Sequence, residues 1–141
     1  MTKMRWLTLL LGFVSCWSAA RAQDVVLVAN RGVQISEISD ADLRAIFMGA
    51  KTRFADGSRA VPVTLKGGPA HEVFLRHHLG ESPADFQAQW RKMVFTGQGA
   101  MPRAFESESA LIEYVAATAG AVGYVSRISP ENPVKRLAAV K

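Results

Sequence analysis

The 141-residue chain has a single cysteine, Cys16, and it lies in an amino-terminal apolar run that we read as a signal peptide. Lys3 and Arg5 form a short basic head and Trp6 to Trp17 is almost wholly apolar. Ala20-Arg21-Ala22 then supplies the small-x-small pattern that signal peptidase reads, so cleavage is expected before Gln23. The expected organisation is a signal peptide over 1–22 and one exported, periplasmic domain over 23–141. With Cys16 removed, the mature protein has no disulfide and no thiol nucleophile, which constrains a domain of this size little. Phe13-Val14-Ser15-Cys16 is a weak lipobox-like alternative that would leave Cys16 lipidated, and Phe13 and Trp17 fit that pattern poorly.

A charge excess is missing too. When Lys3, Arg5 and Arg21 leave with the signal, 14 basic residues face 12 acidic ones, and the formal +5 shrinks to +2. That is no footprint for nucleic acid. Downstream of the signal no apolar run reaches transmembrane length, so the expected product is soluble or lipid-tethered. No repeat or low-complexity linker divides the remaining 119 residues, which suffice for one domain with its own core. No serine sits in Gly-x-Ser-x-Gly, none is flanked by an obvious base, and no glycine pattern matches a P-loop or dinucleotide fingerprint. The domain is therefore expected to be non-enzymatic and without a cofactor.

What is present reads as alternating strands and helices. Asp24 to Ala29 (DVVLVA) is a continuous β-branched run, expected as a strand buried on both faces. Ser39 with Asp42 opens a helix that turns Leu43, Ile46 and Phe47 to one face and closes at Gly49. After the Asp56-Gly57 turn, Val61 to Lys66 reads as a second strand, with Pro62 near its start. Gly67-Gly68-Pro69 leads into a helix over 70–79, capped by Gly80. Ser82 with Asp85 opens another, marked by Phe86, Trp90, Met93 and Val94. Phe74, Trp90 and Phe95 are expected in the core or against a lobe face. Ser107 to Thr118 reads as a helix with Leu111, Ile112 and Val115 inward, Ala121 to Ser126 as a third strand, and Val134 to Val140 as a last edge strand. This order implies an α/β fold with helices covering a small sheet.

The leading binding candidate is Lys66-Gly67-Gly68-Pro69-Ala70-His71, because it joins a strand to a helix start, where N–H groups and the helix dipole attract anions. Its glycines let backbone approach a ligand, and Lys66 and His71 add charge or hydrogen bonds, although Pro69 removes one donor. An ordinary strand-to-helix turn explains the same residues. Thr96-Gly97-Gln98-Gly99 reads either as a second backbone cradle or as a helix C-cap followed by a loop. His71 and His78 lie two helical turns apart, and His77 and His78 diverge by about 100°. No chelating pair results, and no metal is expected.

Several of these motifs, in this order, resemble a known family. Ile35-Ser36-x-x-Ser39-x-x-x-Leu43-x-x-Ile46-Phe47-x-Gly49, then Phe54-Ala55-Asp56-Gly57, then Val61-Pro62-Val63, resemble phosphate-binding proteins of bacterial phosphate ABC transporters, the PstS type. Thr118-Ala119-Gly120-Ala121-Val122-Gly123-Tyr124-Val125 is similar to that family's "PGAIGYV" element. The Trp90, Phe95-Thr96-Gly97 and Pro102 spacing resembles its short, single-domain members. The resemblance implies one lobe of a type II periplasmic-binding-protein-like fold, with a small mixed sheet covered by helices. It also implies a small, phosphate-like anion at Lys66, Gly67, Gly68, Ala70 and His71, with Thr96 and Gly97. Where the family places an Arg and Ser-Gly-Thr, this chain has Lys66 to His71, so the arginine and both hydroxyl donors are missing. The family closes two lobes over its ligand. A single lobe therefore implies a homodimer, a partner wall such as an ABC permease or another envelope protein, or an interaction module with no tight small ligand.

Overall fold

The structure, a computed structural model, describes residues 24–141. The expected signal peptide over 1–22, with Cys16 and the cleavage motif, lies outside the described residues. Strands β1 (Val26–Ala29), β2 (Glu37–Ser39), β3 (Val61–Leu65), β4 (Arg103–Phe105), β5 (Ala121–Val125) and β6 (Lys135–Val140) form one sheet in the order β2-β6-β1-β5-β3-β4. β1 is antiparallel to both its neighbours, β5 and β6. The β2–β6, β3–β5 and β3–β4 pairs are parallel. Between the strands run α1 (Asp40–Phe47), α2 (Pro69–Phe74), α3 (Pro83–Phe95) and α4 (Glu108–Ala117). α2 continues as a wider π turn over Leu75–Leu79 and ends at Gly80.

The serines read as helix starts act as such. Ser39, Ser82 and Ser107 each accept, at 3.1 Å, the backbone N–H three residues on, from Asp42, Asp85 and Ala110. Each such cap contributes about 1 kcal/mol.

β5 shows how the layers are built, since all five of its residues are buried. A Cβ on Gly123 would lie 2.9 Å from Val63 Cγ2 and 3.0 Å from Leu111 Cδ2, so that sheet face is packed by α4. Tyr124, the next residue, points to the opposite face, as strand alternation requires. There its ring stacks on Phe74 of α2, with centroids 3.9 Å apart. Phe47 meets Phe74 edge-on at 4.8 Å, and the Trp90 Nε1–H donates to the Phe47 carbonyl at 2.9 Å, tying α1 and α3 into the same aromatic layer. The sheet is thus covered by helices on both faces.

Two expectations need correction. β6 is not an edge strand: it lies between β1 and β2, with Ala29 opposite Lys135 and Ser39 opposite Val140. Only Leu137 of its six residues is buried, so its own composition does not mark it as interior. The edges are instead β2 and β4, three residues each and too short for periodicity to register. Finally, Phe95 is 91% and Val94 49% exposed. The seam of Phe86, Trp90 and Met93 already faces inward, and at 100° per residue Phe95 falls on the opposite side of α3.

Candidate functional site

The turn from β3 into α2 is fixed from below and open above. The Leu65 N–H donates to the Tyr124 hydroxyl at 3.0 Å, and the Lys66 N–H donates to the Phe105 carbonyl at 2.8 Å. A Cβ on Gly67 or Gly68 would meet nothing within 4 Å, so the peptide face above the turn is accessible. Lys66 reaches Glu106 at 3.0 Å, but both side chains are largely exposed. Such a pair is worth at most about 1 kcal/mol and yields readily to another anion.

Cavities lie on either side of this turn, and charge distinguishes them. One, of about 390 Å³, is lined by Asp24, Glu106 and Glu108 together with Gly67, Ala70 and Arg127. The Glu108 carboxylate there accepts from the Ser126 N–H at 2.6 Å and from its hydroxyl at 2.9 Å. Three carboxylates against one guanidinium make this side hostile to an anion. The other cavity, of about 460 Å³, is lined by Lys66, His71, Gln87 and Arg91, with Glu72 its one carboxylate. A smaller extension of about 280 Å³ shares Lys66, His71 and Gln87.

His71 is at the floor of the second cavity and only 6% exposed. Its Nδ1 meets the Tyr124 hydroxyl. That hydroxyl accepts from the Leu65 N–H and has one proton of its own; Nδ1 is the one acceptor it meets among the described residues, so the hydroxyl donates to it. The bond assigns the tautomer: Nδ1 accepts and Nε2 carries the hydrogen. Among the described residues no fully buried side-chain nitrogen or oxygen lacks a partner, and there Nε2 makes no hydrogen bond, so it is not fully buried. Nε2–H therefore opens onto the cavity as a donor. Burial lowers the His71 pKa, with Glu72 pulling the other way, and burial raises that of Tyr124. The ring is thus held neutral with its donor aimed outward.

The structure gathers Lys66, Gly67, Gly68 and His71 around this cavity and turns Ala70 to the acidic one. It does not bring Thr96 and Gly97 to either. Thr96 N–H and Oγ1–H both point to the Lys92 carbonyl at 3.0 Å, and the Gly97 N–H points to the Val94 carbonyl at 3.2 Å. Those donors close the end of α3, which is the C-cap alternative. Arg91 and Gln87 are the residues that sequence reasoning missed. Four positions apart, they share one face of α3, each following a buried aromatic, Trp90 and Phe86. That spacing was the available signal.

No protein-family model matches the chain, and no curated protein matches it. Solved structures share its fold. One is an ABC-type phosphate transport receptor from Vibrio cholerae, at 16% identity and TM-score 0.61, over 82% of this chain and 45% of that one. Another, a phosphate ABC transporter substrate-binding protein from Clostridium perfringens with bound phosphate, gives 12% and 0.64, over 82% and 44%. PstS from Borrelia burgdorferi gives 14% and 0.59, over 82% and 46%. The chain spans less than half the length of each. At these identities the likeness is one of fold: a single lobe of a periplasmic-binding-protein architecture.

Proposed function

We propose that the chain is an exported, non-catalytic solute-binding domain that holds a small oxyanion of the phosphate class between the β3–α2 turn and α3. The observation that carries this reading is the convergence of Lys66, Arg91 and the His71 Nε2–H on one open cavity of about 460 Å³. Lys66 supplies a mobile point charge and Arg91 a planar fork suited to two oxygens of one ligand. His71 supplies a donor fixed by Tyr124. The missing family arginine is thereby replaced from another element. The fold likeness to proteins named as phosphate binders supports the same reading. One wall leaves the ligand half in water, where charge contacts weaken. Working affinity then depends on a second wall, from a permease, another envelope protein or a second copy.

The test is thermal unfolding of the protein purified after export, with phosphate, sulfate or sodium chloride at matched ionic strength. Ligand at a hundred times its dissociation constant adds about 2.7 kcal/mol, a rise of several degrees at this size. Lys66→Ala and Arg91→Ala are each expected to weaken phosphate binding about tenfold, since a hydrogen bond to a charged group contributes about 1.5 kcal/mol or more. A response to phosphate no greater than to chloride, or one that both variants keep, would overturn the assignment. A flat response would favour an interaction module without a tight small ligand, the reading to which the exposed Phe95 points.

A further inference from the structure

The outward end of α3 carries an apolar surface that no other described residue covers. Phe95 is 91%, Val94 49% and Met101 44% exposed, and with Gln87 and Arg91 they line a shallow groove of about 350 Å³. Exposed apolar residues scattered singly need no explanation, whereas a contiguous set rimmed by polar groups marks a contact surface. Gln87, Arg91, Val94 and Phe95 fall at helical spacing on one stripe, turned away from the buried seam of Phe86, Trp90 and Met93. The stripe is apolar at its end and basic at its middle. No carboxylate lines the groove. Arg91 and neighbouring Lys92 make no ion pair among the described residues.

We infer that this groove docks a segment of another protein that carries an apolar anchor side chain beside a carboxylate. The anchor sits against Phe95, Val94 and Met101, and the carboxylate meets the Arg91 guanidinium. Charge decides against a second copy, and the shape of the surface decides against a membrane. A twofold pairing of two copies across so small a groove would set Arg91 and Lys92 of one copy against Arg91 and Lys92 of the other, which is repulsive. A lipid surface is engaged by a broad apolar face, whereas this groove is short and is polar where Gln87 and Arg91 line it. An aromatic anchor next to an arginine is also the composition in which interface energy concentrates. Arg91 lines both this groove and the anion cavity, so a docked carboxylate and a bound oxyanion compete for its guanidinium. This inference does not rest on anion binding, and its test is run without phosphate.

Random peptides displayed on phage are selected on the exported protein, with the Phe95→Ser variant as counter-target, and binding of the enriched sequences is measured by fluorescence polarisation. Enriched peptides should combine an aromatic or aliphatic residue with Asp or Glu. Their affinity should fall at least tenfold in both Phe95→Ser and Arg91→Glu, and should drop as salt rises. Both positions are exposed, so the variants should keep the wild-type melting temperature. The inference is overturned by a library that yields no binders, or by binders without acidic residues or indifferent to both variants. It is equally overturned by a concentration-dependent dimer in sedimentation, or flotation with phosphatidylglycerol vesicles, that Phe95→Ser abolishes. Those two results assign the groove to a second copy or to a membrane.

Discussion

Gly120→Ala is expected to destabilise the protein by about 3 kcal/mol or more and to lower its melting temperature by roughly 10–15 °C. Gly120 links α4 to β5 with φ +78, where an L-residue carries a backbone cost of about 1 kcal/mol. The larger part is steric. An added Cβ would collide with the Arg59 carbonyl oxygen and lie 3.3 Å from its carbon, and both are main-chain atoms. Arg59 has little room to retreat. The next N–H, of Ala60, donates to Thr52 O at 2.9 Å, and the Val61 N–H donates to Gly120 O itself at 2.9 Å. Relieving the clash therefore loosens the junction where β3 pairs with β5, at the end of β3 opposite the candidate site. Gly57→Ala supplies the comparison: φ is +87, but nothing lies within 4 Å of its Cβ position. Only the backbone cost of about 1 kcal/mol is expected there. Denaturant unfolding of both variants checks the difference, and equal losses would mean that the Arg59 contact is absent in solution.

The parts of this fold that were legible in the sequence are those whose cause is local. A capping serine needs only the N–H three residues on, so Ser39, Ser82 and Ser107 announced their helices. The run Ala121 to Ser126 announced a strand, and the structure adds that all five residues of β5 are buried. The illegible parts depend on pairing across the chain. Lys135–Val140 is interior because β1 and β2 flank it, and nothing in its own alternation records its neighbours. The site divides the same way. Lys66 to His71 stood out as a strand-to-helix turn. Arg91 joins it only because α3 packs through Phe86 and Trp90 beside that turn, which turns the next residue on the wheel toward the cavity. Phe95 shows the opposite limit. Its type suggested burial, and its phase on the helix, half a turn from the seam, decided against it.

Tyr124→Phe is expected to cost about 2–3 kcal/mol while leaving the aromatic stack on Phe74 in place. The lost atom is one hydroxyl, but it serves two buried groups. Without it the Leu65 N–H has no acceptor and the His71 Nδ1 has no donor. The same hydroxyl ties stability to pH. Protonating His71 turns Nδ1 into a donor, which leaves the Tyr124 hydroxyl proton without its acceptor, and it charges a buried ring. The folded-state pKa accordingly lies below the ordinary 6.5, burial being the main cause and the Glu72 carboxylate opposing it. As pH falls, the unfolded chain takes up this proton first, so it binds more protons than the folded protein across that interval. The resulting stabilisation is complete above about 6.5 and is lost as pH falls from there through the lowered folded value. In His71→Asn the side-chain carbonyl can still accept from Tyr124, but no proton is taken up. Unfolding free energy measured from about pH 8 to about pH 5 should therefore decline more steeply for the wild type than for His71→Asn. Parallel curves would mean that the ring is not held neutral in the folded protein. The donation from the Tyr124 hydroxyl to Nδ1 would then fall, because a charged ring donates from both nitrogens. The cavity would hold a cationic rather than a neutral Nε2–H, whatever the phosphate titration returned.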